Sequence, residues 1–153
     1  VDERLWRGVE PGTPTPRRRL DTVRRLTDAG LGCSVLMAPI LPGLSDSLEH
    51  IEDTVAAIAA AGATSLTPLL LHLRPGAREW YWAWLRREHP HLLPLYERLY
   101  REGAYLPRAY QDDVLGRVYE AKRRHGLLDR EQRHRHQPKP PPATAPQHQL
   151  SLL

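Results

Sequence analysis

Two short apolar runs, residues 32–38 and 66–71, each follow a helical pattern closed by a glycine, and this alternation restricts the chain more than any other feature. Leu20, Val23 and Leu26 recur at helical spacing before Gly30; Leu48, Ile51, Val55 and Ile58 repeat the pattern before Gly62. A short continuous apolar run fits a strand buried on both faces, as in a parallel sheet. Helix, strand, helix, strand with short links is the order of βα units. Pro68 interrupts the second run, and proline lacks a ladder donor, so this strand is expected at an edge or beside a bulge. Two strands do not make a stable parallel sheet, so further strands are expected before Val1, where the chain opens in mid-pattern.

The first run ends in Met37-Ala38-Pro39-Ile40-Leu41-Pro42-Gly43-Leu44-Ser45-Asp46, a stiff Pro-x-x-Pro-Gly loop with a helix behind it. In α/β folds, loops at the carboxyl ends of strands carry the ligands. Asp46 and Glu49 form a loose capping box for that helix. Upstream, residues 1–15 are polar and punctuated by Gly and Pro, with Thr15 as an N-cap and Pro16 at the first helical position. From Ala77 onward the pattern is helical only. Trp80, Tyr81, Trp84 and Leu85 cluster on one helix, a second runs from about 92 to 102, and a third carries Val114, Leu115, Val118 and Tyr119 to about His125. Periodicity then fails, and the stretch with His134, His136 and the prolines 138–142 reads as disordered. The expected division is 1–76 for the βα units, 77–126 for a helical extension and 127–153 for a Pro/His-rich tail.

At 153 residues, 41% of them hydrophobic, the chain is long enough for one domain with a core. The net charge of +4 is spread among acids, a mild invitation to polyanions and not a nucleic-acid footprint. All the cationic side chains except Lys122 and Lys139 are arginine, a bias that reads as genome composition before it reads as phosphate binding. Cys33 is the sole cysteine, so this chain builds neither an internal disulfide nor a thiolate metal site on its own. A reducing, cytoplasmic compartment is the expectation. No apolar run approaches the roughly 18 residues of a membrane span, and no signal peptide is visible.

The ordered series Arg19-Leu20 to Ala29-Gly30, Val35 to Asp46, Ala60-Ala61-Gly62-Ala63, Leu71 to Gly76 and Gly103 to Tyr110 resembles the C-terminal part of a radical S-adenosylmethionine (SAM) protein. Within that family it is similar to the spore photoproduct lyase-like, or DNA repair photolyase-like, proteins of actinobacterial type. The likeness covers residues about 4–126. It implies an α/β fold, the C-terminal portion of a partial (β/α)6 TIM-like barrel plus a helical extension. In such enzymes a [4Fe–4S] cluster held by C-x3-C-x2-C reduces SAM, and the resulting 5′-deoxyadenosyl radical abstracts a substrate hydrogen. Here that cysteine motif is absent, as is the glycine-rich segment that grips the methionyl amine. The resemblance therefore implies a lyase-type, iron–sulfur and SAM-dependent parent. Its cluster ligands would lie in a missing N-terminal barrel half, and its substrate could be a nucleic-acid lesion. This chain would carry part of the SAM pocket, hold no metal itself and be inactive alone.

By that resemblance Ile40, Leu41 and Gly43 border the adenine; Glu10 either contacts the SAM ribose or caps a turn. The plainer reading of the loop is a stiff connector in which Pro fixes φ and Gly allows positive φ. His72 and Arg74 sit just past a strand end, where Arg could hold a carboxylate or phosphate, or simply anchor the next helix. Cys33 reads as a small buried hydrophobe. Trp80, Tyr81, Trp82 and Trp84, with Arg78, Arg86 and Arg87, could stack and pair with nucleic acid, which gives the alternative of a nucleic-acid-binding module; packing is the commoner fate of such a helix. Tyr105, Arg108 and Tyr110 either reach over the site or pack at a helix entry. His134 and His136 have metal-like alternation without acidic or cysteine partners. A different barrel enzyme, binding phosphate at the last strand, is disfavoured because His72 to Gly76 offers one glycine and a proline without a donor.

Overall fold

A computed structural model describes residues 2–127; the expected tail with His134 and His136 lies outside the described residues. Six α-helices and two strands follow one another as α1 (Glu3–Val9), α2 (Pro16–Asp28), β1 (Ser34–Ile40), α3 (Leu48–Ala60), β2 (Ser65–Leu70), α4 (Ala77–Glu88), α5 (Leu93–Leu99) and α6 (Arg108–Arg124), with a 3-10 turn at Pro90–Leu92. Helix α1 falls in the stretch the sequence marks as punctuated. Asp2 caps it, its carboxylate accepting from the N–H groups of Arg4 (2.8 Å) and Leu5 (3.0 Å). Helix α2 begins as read, with Thr15 Oγ accepting from Arg18 N–H at 3.3 Å and Pro16 in its first turn.

The strands are parallel and pair from Ser34↔Ser65 to Met37↔Pro68; the register then slips before Ile40↔Leu70. The slip falls where Pro68, without an N–H, cannot continue the ladder, so the expected irregularity is present. Helix α3 is the crossover between the strands. One face of the sheet supplies Met37, Ile40 and Leu66 to a core with Val23, Ile51, Val55 and Ile58, closed by Val114 and Val118 of α6. Leu127 also belongs to this core, at 2% exposure. At Gly62 (φ 84°) an added Cβ would lie 2.7 Å from Thr27 Oγ, so α2 and the end of α3 approach as closely as they do only because that residue is glycine. Leu36 and Leu69 remain 59% and 48% exposed. The expected burial on both faces therefore does not hold, because no second layer covers that side among the described residues.

The expected portion of a partial (β/α)6 TIM-like barrel is likewise corrected. The described residues hold one two-stranded parallel sheet, order β1-β2, with helices, and no barrel wall. The α/β class stands in the general sense only. Closing a sheet requires a series of tilted, staggered strands, and a single pairing sets neither tilt nor shear. After β2 the chain instead builds a second core of Leu41, Leu73, Tyr81, Trp84, Leu85, Tyr96, Tyr100 and Leu106, in which α4 and α5 pack against the segments leaving both strands. Gly8 of α1 lies under Trp84, where an added Cβ would be 3.4 Å from the indole nitrogen, so α1 joins this cluster. No helix among the described residues is long and apolar enough to cross a membrane.

Candidate functional site

The loop leaving β1 is fixed by its own side chains and by α6. Ser45 Oγ accepts from Leu41 N–H at 2.8 Å, and the N–H groups of Leu44 and Ser45 donate back to Leu41 O at 3.1 and 3.0 Å. Asp46 Oδ1 accepts from Gly43 N–H at 2.8 Å, while its Oδ2 accepts from Tyr110 Oη. Arg117 Nη1 donates to Asp46 O at 3.0 Å. Asp46, 8% exposed, therefore braces the loop; the N-cap of α3 is Ser47, whose Oγ accepts from His50 N–H at 3.1 Å. Burial, and then the contact with Asp46, holds the Tyr110 phenol well above its ordinary range, so it stays a proton donor. Tyr110 and Arg117 stand 64 and 71 residues from Asp46, and spacing in a single sequence carries no signal for such a pairing.

Beside the loop, a groove of about 220 Å³ runs along β1 between α1, α2 and α3. Ile40 and Leu41 line it together with Leu5, Trp6, Leu36 and Thr54. Thr54 Oγ is buried and has no partner among the described residues, an unusual state for a hydroxyl. The sequence reading passed over Thr54 because an interior helix threonine looks ordinary. His50 also faces the groove, and burial holds its imidazole below the usual value, so it is neutral at pH 7. At the far end Glu10 is tied to Arg19 and to Thr13 Oγ, which also accepts from Trp6 Nε1 at 3.0 Å. Glu10 thus holds the α1–α2 connection while bordering the groove.

The structure places Ile40 and Leu41 together in the groove, but not the other three candidates. Gly43 sits on the opposite side of the loop at φ 71°, where an added Cβ would be 3.0 and 3.1 Å from the Cδ2 atoms of Leu92 and Leu95. His72 and Arg74 are exposed in the segment after β2 and do not line the groove. Gly76 N–H, at the N-cap of α4, donates to Glu79 at 2.6 Å, and Arg78 N–H donates to Arg74 O at 2.9 Å. On α4, Tyr81 and Trp84 are 4% and 3% exposed; only Trp80 presents a large open ring, at 54%. Cys33 is half-buried, and no group of three His, Cys, Asp or Glu converges among the described residues. This donor set does not fit an iron–sulfur cluster.

Against this geometry the comparisons with known proteins are narrow. Uncharacterized proteins of Mycobacterium bovis and of two strains of Mycobacterium tuberculosis are each 49% identical to the chain over 117 residues. The match covers 76% of this chain and 34% of each relative, so the chain spans about a third of the length of the curated relatives it matches. No family model matches the chain, and no solved structure matches it.

Proposed function

We propose that this chain is the part of a larger SAM-dependent radical enzyme that forms one wall of the adenosyl site, and that it is inactive alone. The observation that carries this reading is the groove along β1, walled at the strand's carboxyl end by Ile40 and Leu41. A flat apolar ligand suits it, because the aliphatic side chains meet a ring face. At about 220 Å³ the groove is smaller than the roughly 300–1,000 Å³ of a complete small-molecule site, which suits a partial wall. The series of matching sequence runs supports the same reading. When bound, SAM would supply one-electron hydrogen-abstraction chemistry. This chain's residues would orient the adenosyl group and exclude water; the braced Asp46 loop keeps Leu41 in place. The [4Fe–4S] cluster would be held outside the described residues, since nothing in them fits it. The substrate, a nucleic-acid lesion by resemblance, rests on family analogy.

Adenosine and S-adenosylhomocysteine titrated into the isotope-labelled chain test the reading. Saturable shifts at Leu36, Ile40, Leu41 and Thr54 are expected, weakened by Leu36→Ala. Absence of shifts at millimolar ligand, or shifts that map elsewhere, would remove the adenosyl assignment. The alternative of a nucleic-acid module built on the tryptophan helix is less favoured, because that helix buries Tyr81 and Trp84 in the second core.

A further inference from the structure

We propose that α1 is a lid, hinged at its carboxyl end, that lifts off the groove along β1 as a unit while the two cores stay closed. The helix has seven residues and buries none of them fully, whereas α3, across the same groove, buries Ile51, Val55 and Ile58. A helix this short does not hold itself in water, so its place depends on what it touches. Those contacts differ at its two ends. At the carboxyl end Arg19 of α2 gathers the connection, donating to Thr13 Oγ at 2.9 Å and to Pro14 O at 3.0 Å and pairing with Glu10. Gly12 turns the chain there at φ 87°. This joint is the hinge. Trp6 Nε1, which donates to Thr13 Oγ at 3.0 Å, closes the helix back onto the joint and is the bond that opening breaks. Toward the amino end the tie to the body is the Glu3–Arg17 ion pair at 3.2 Å, with the Arg17 side chain 83% exposed, and such a pair holds weakly.

The closed position also carries a defect at its point of closest approach. Gly8 brings the α1 backbone over Trp84, where an added Cβ would lie 3.4 Å from the indole nitrogen. That nitrogen is buried and has no partner among the described residues. A buried donor left unmet disfavours the arrangement that covers it, and lifting α1 admits water to it. What α1 covers is the groove: Leu5, Trp6 and Val9 form one wall of the space of about 220 Å³ whose other walls are β1, α2 and α3. Among the described residues β1 pairs with β2 alone, so an open lid widens the groove along the free edge of β1. As a motion of the fold this is independent of the adenosyl assignment. As control of entry to the adenosyl site it rests on that reading.

Hydrogen exchange of the full 153-residue chain, followed by NMR at a series of low urea concentrations, is the test. The amides of Trp6 and Glu10 donate to Asp2 O and Trp6 O at 3.1 and 2.9 Å. They are expected to exchange about a hundredfold faster than those of Val55 and Ile58, and faster still as urea rises, because the opening exposes surface. The Trp84 indole proton is expected to follow the α1 amides, within about threefold after correction for intrinsic rates, and not the amides of α4. Gly8→Ala favours the helix and sets a methyl against the indole, so it is expected to slow both signals roughly two- to fivefold and leave α3 unchanged. Exchange of α1 at the rate and urea slope of α3 would make it part of the cooperative core. Exchange without urea dependence would make it a helix that frays in place, and an indole proton that follows α4 would uncouple Trp84 from α1. Each of these overturns the lid, and none depends on the variant. No ligand enters the measurement, so its failure leaves the adenosine titration to stand or fall alone.

Discussion

Thr54 shows at the scale of one residue how an unpartnered polar atom leaves a mark on stability. A buried hydroxyl without a partner costs about 1–3 kcal/mol relative to a satisfied one. Valine has nearly the same shape and no polar atom. Thr54→Val is therefore expected to raise Tm by several degrees. A melt in which the variant is less stable than the parent chain would mean that the hydroxyl has a protein partner after all. None of this was legible from the sequence. Thr54 stands among the core positions of α3, and only the packing of α1 and β1 beside it makes its oxygen an orphan. Ile40 and Leu41, by contrast, are singled out by the resemblance, on a loop that its place after an apolar run also marks, because strand ends and proline-stiffened loops are local features.

Among the elements, α6 does the most that the sequence does not announce. Its end at Gly126 and its apolar positions Val114 and Val118 were readable, since capping and periodicity are local. Its bond to the β1 loop was not, because Tyr110–Asp46 is a pairing of two distant and individually ordinary residues. Tyr110→Phe would leave an Asp46 carboxylate oxygen buried without its donor. The expected loss is about 1–3 kcal/mol in urea unfolding, with the slope m unchanged. In a double-mutant cycle with Asp46→Asn the two losses should fail to add. Additive effects would show that α6 and the loop are held by packing alone. The short α1 was missed for a complementary reason. Glycine and proline around residues 8–16 read as punctuation, yet Asp2 supplies a cap and the indole of Trp84 supplies a surface, which together outweigh propensity in a seven-residue helix.

For the whole molecule the lesson lies in the sheet. Two βα-like units were legible, and the chain does place two parallel strands with a helical crossover. A barrel was inferred from likeness, but with one strand pair the remaining apolar helices α4 and α5 find their own core on the loops. What joins the last helix to the βα units is then packing of α6 on α3, tied at the surface by Glu52. Its carboxylate accepts from Arg124, through Nε at 3.3 Å and also from Nη2, and lies 2.8 Å from His125 Nε2. The hydrogen bond from Arg124, followed by that from His125, holds the Glu52 carboxyl down at about 2 from its ordinary 4.5. A carboxyl with a depressed folded-state value stabilises the fold above its unfolded value and loses that contribution as pH falls through the folded one. The tie is thus present at neutral pH and fades between about 4.5 and about 2. It is exposed enough for salt to weaken it. Thermal melts of the parent chain and Glu52→Gln should therefore differ at pH 7, converge as pH approaches 2, and differ less in high salt. A gap that persists unchanged at pH 2 would place the effect of the substitution in packing and remove the ion pair from the account of how α3 and α6 are joined.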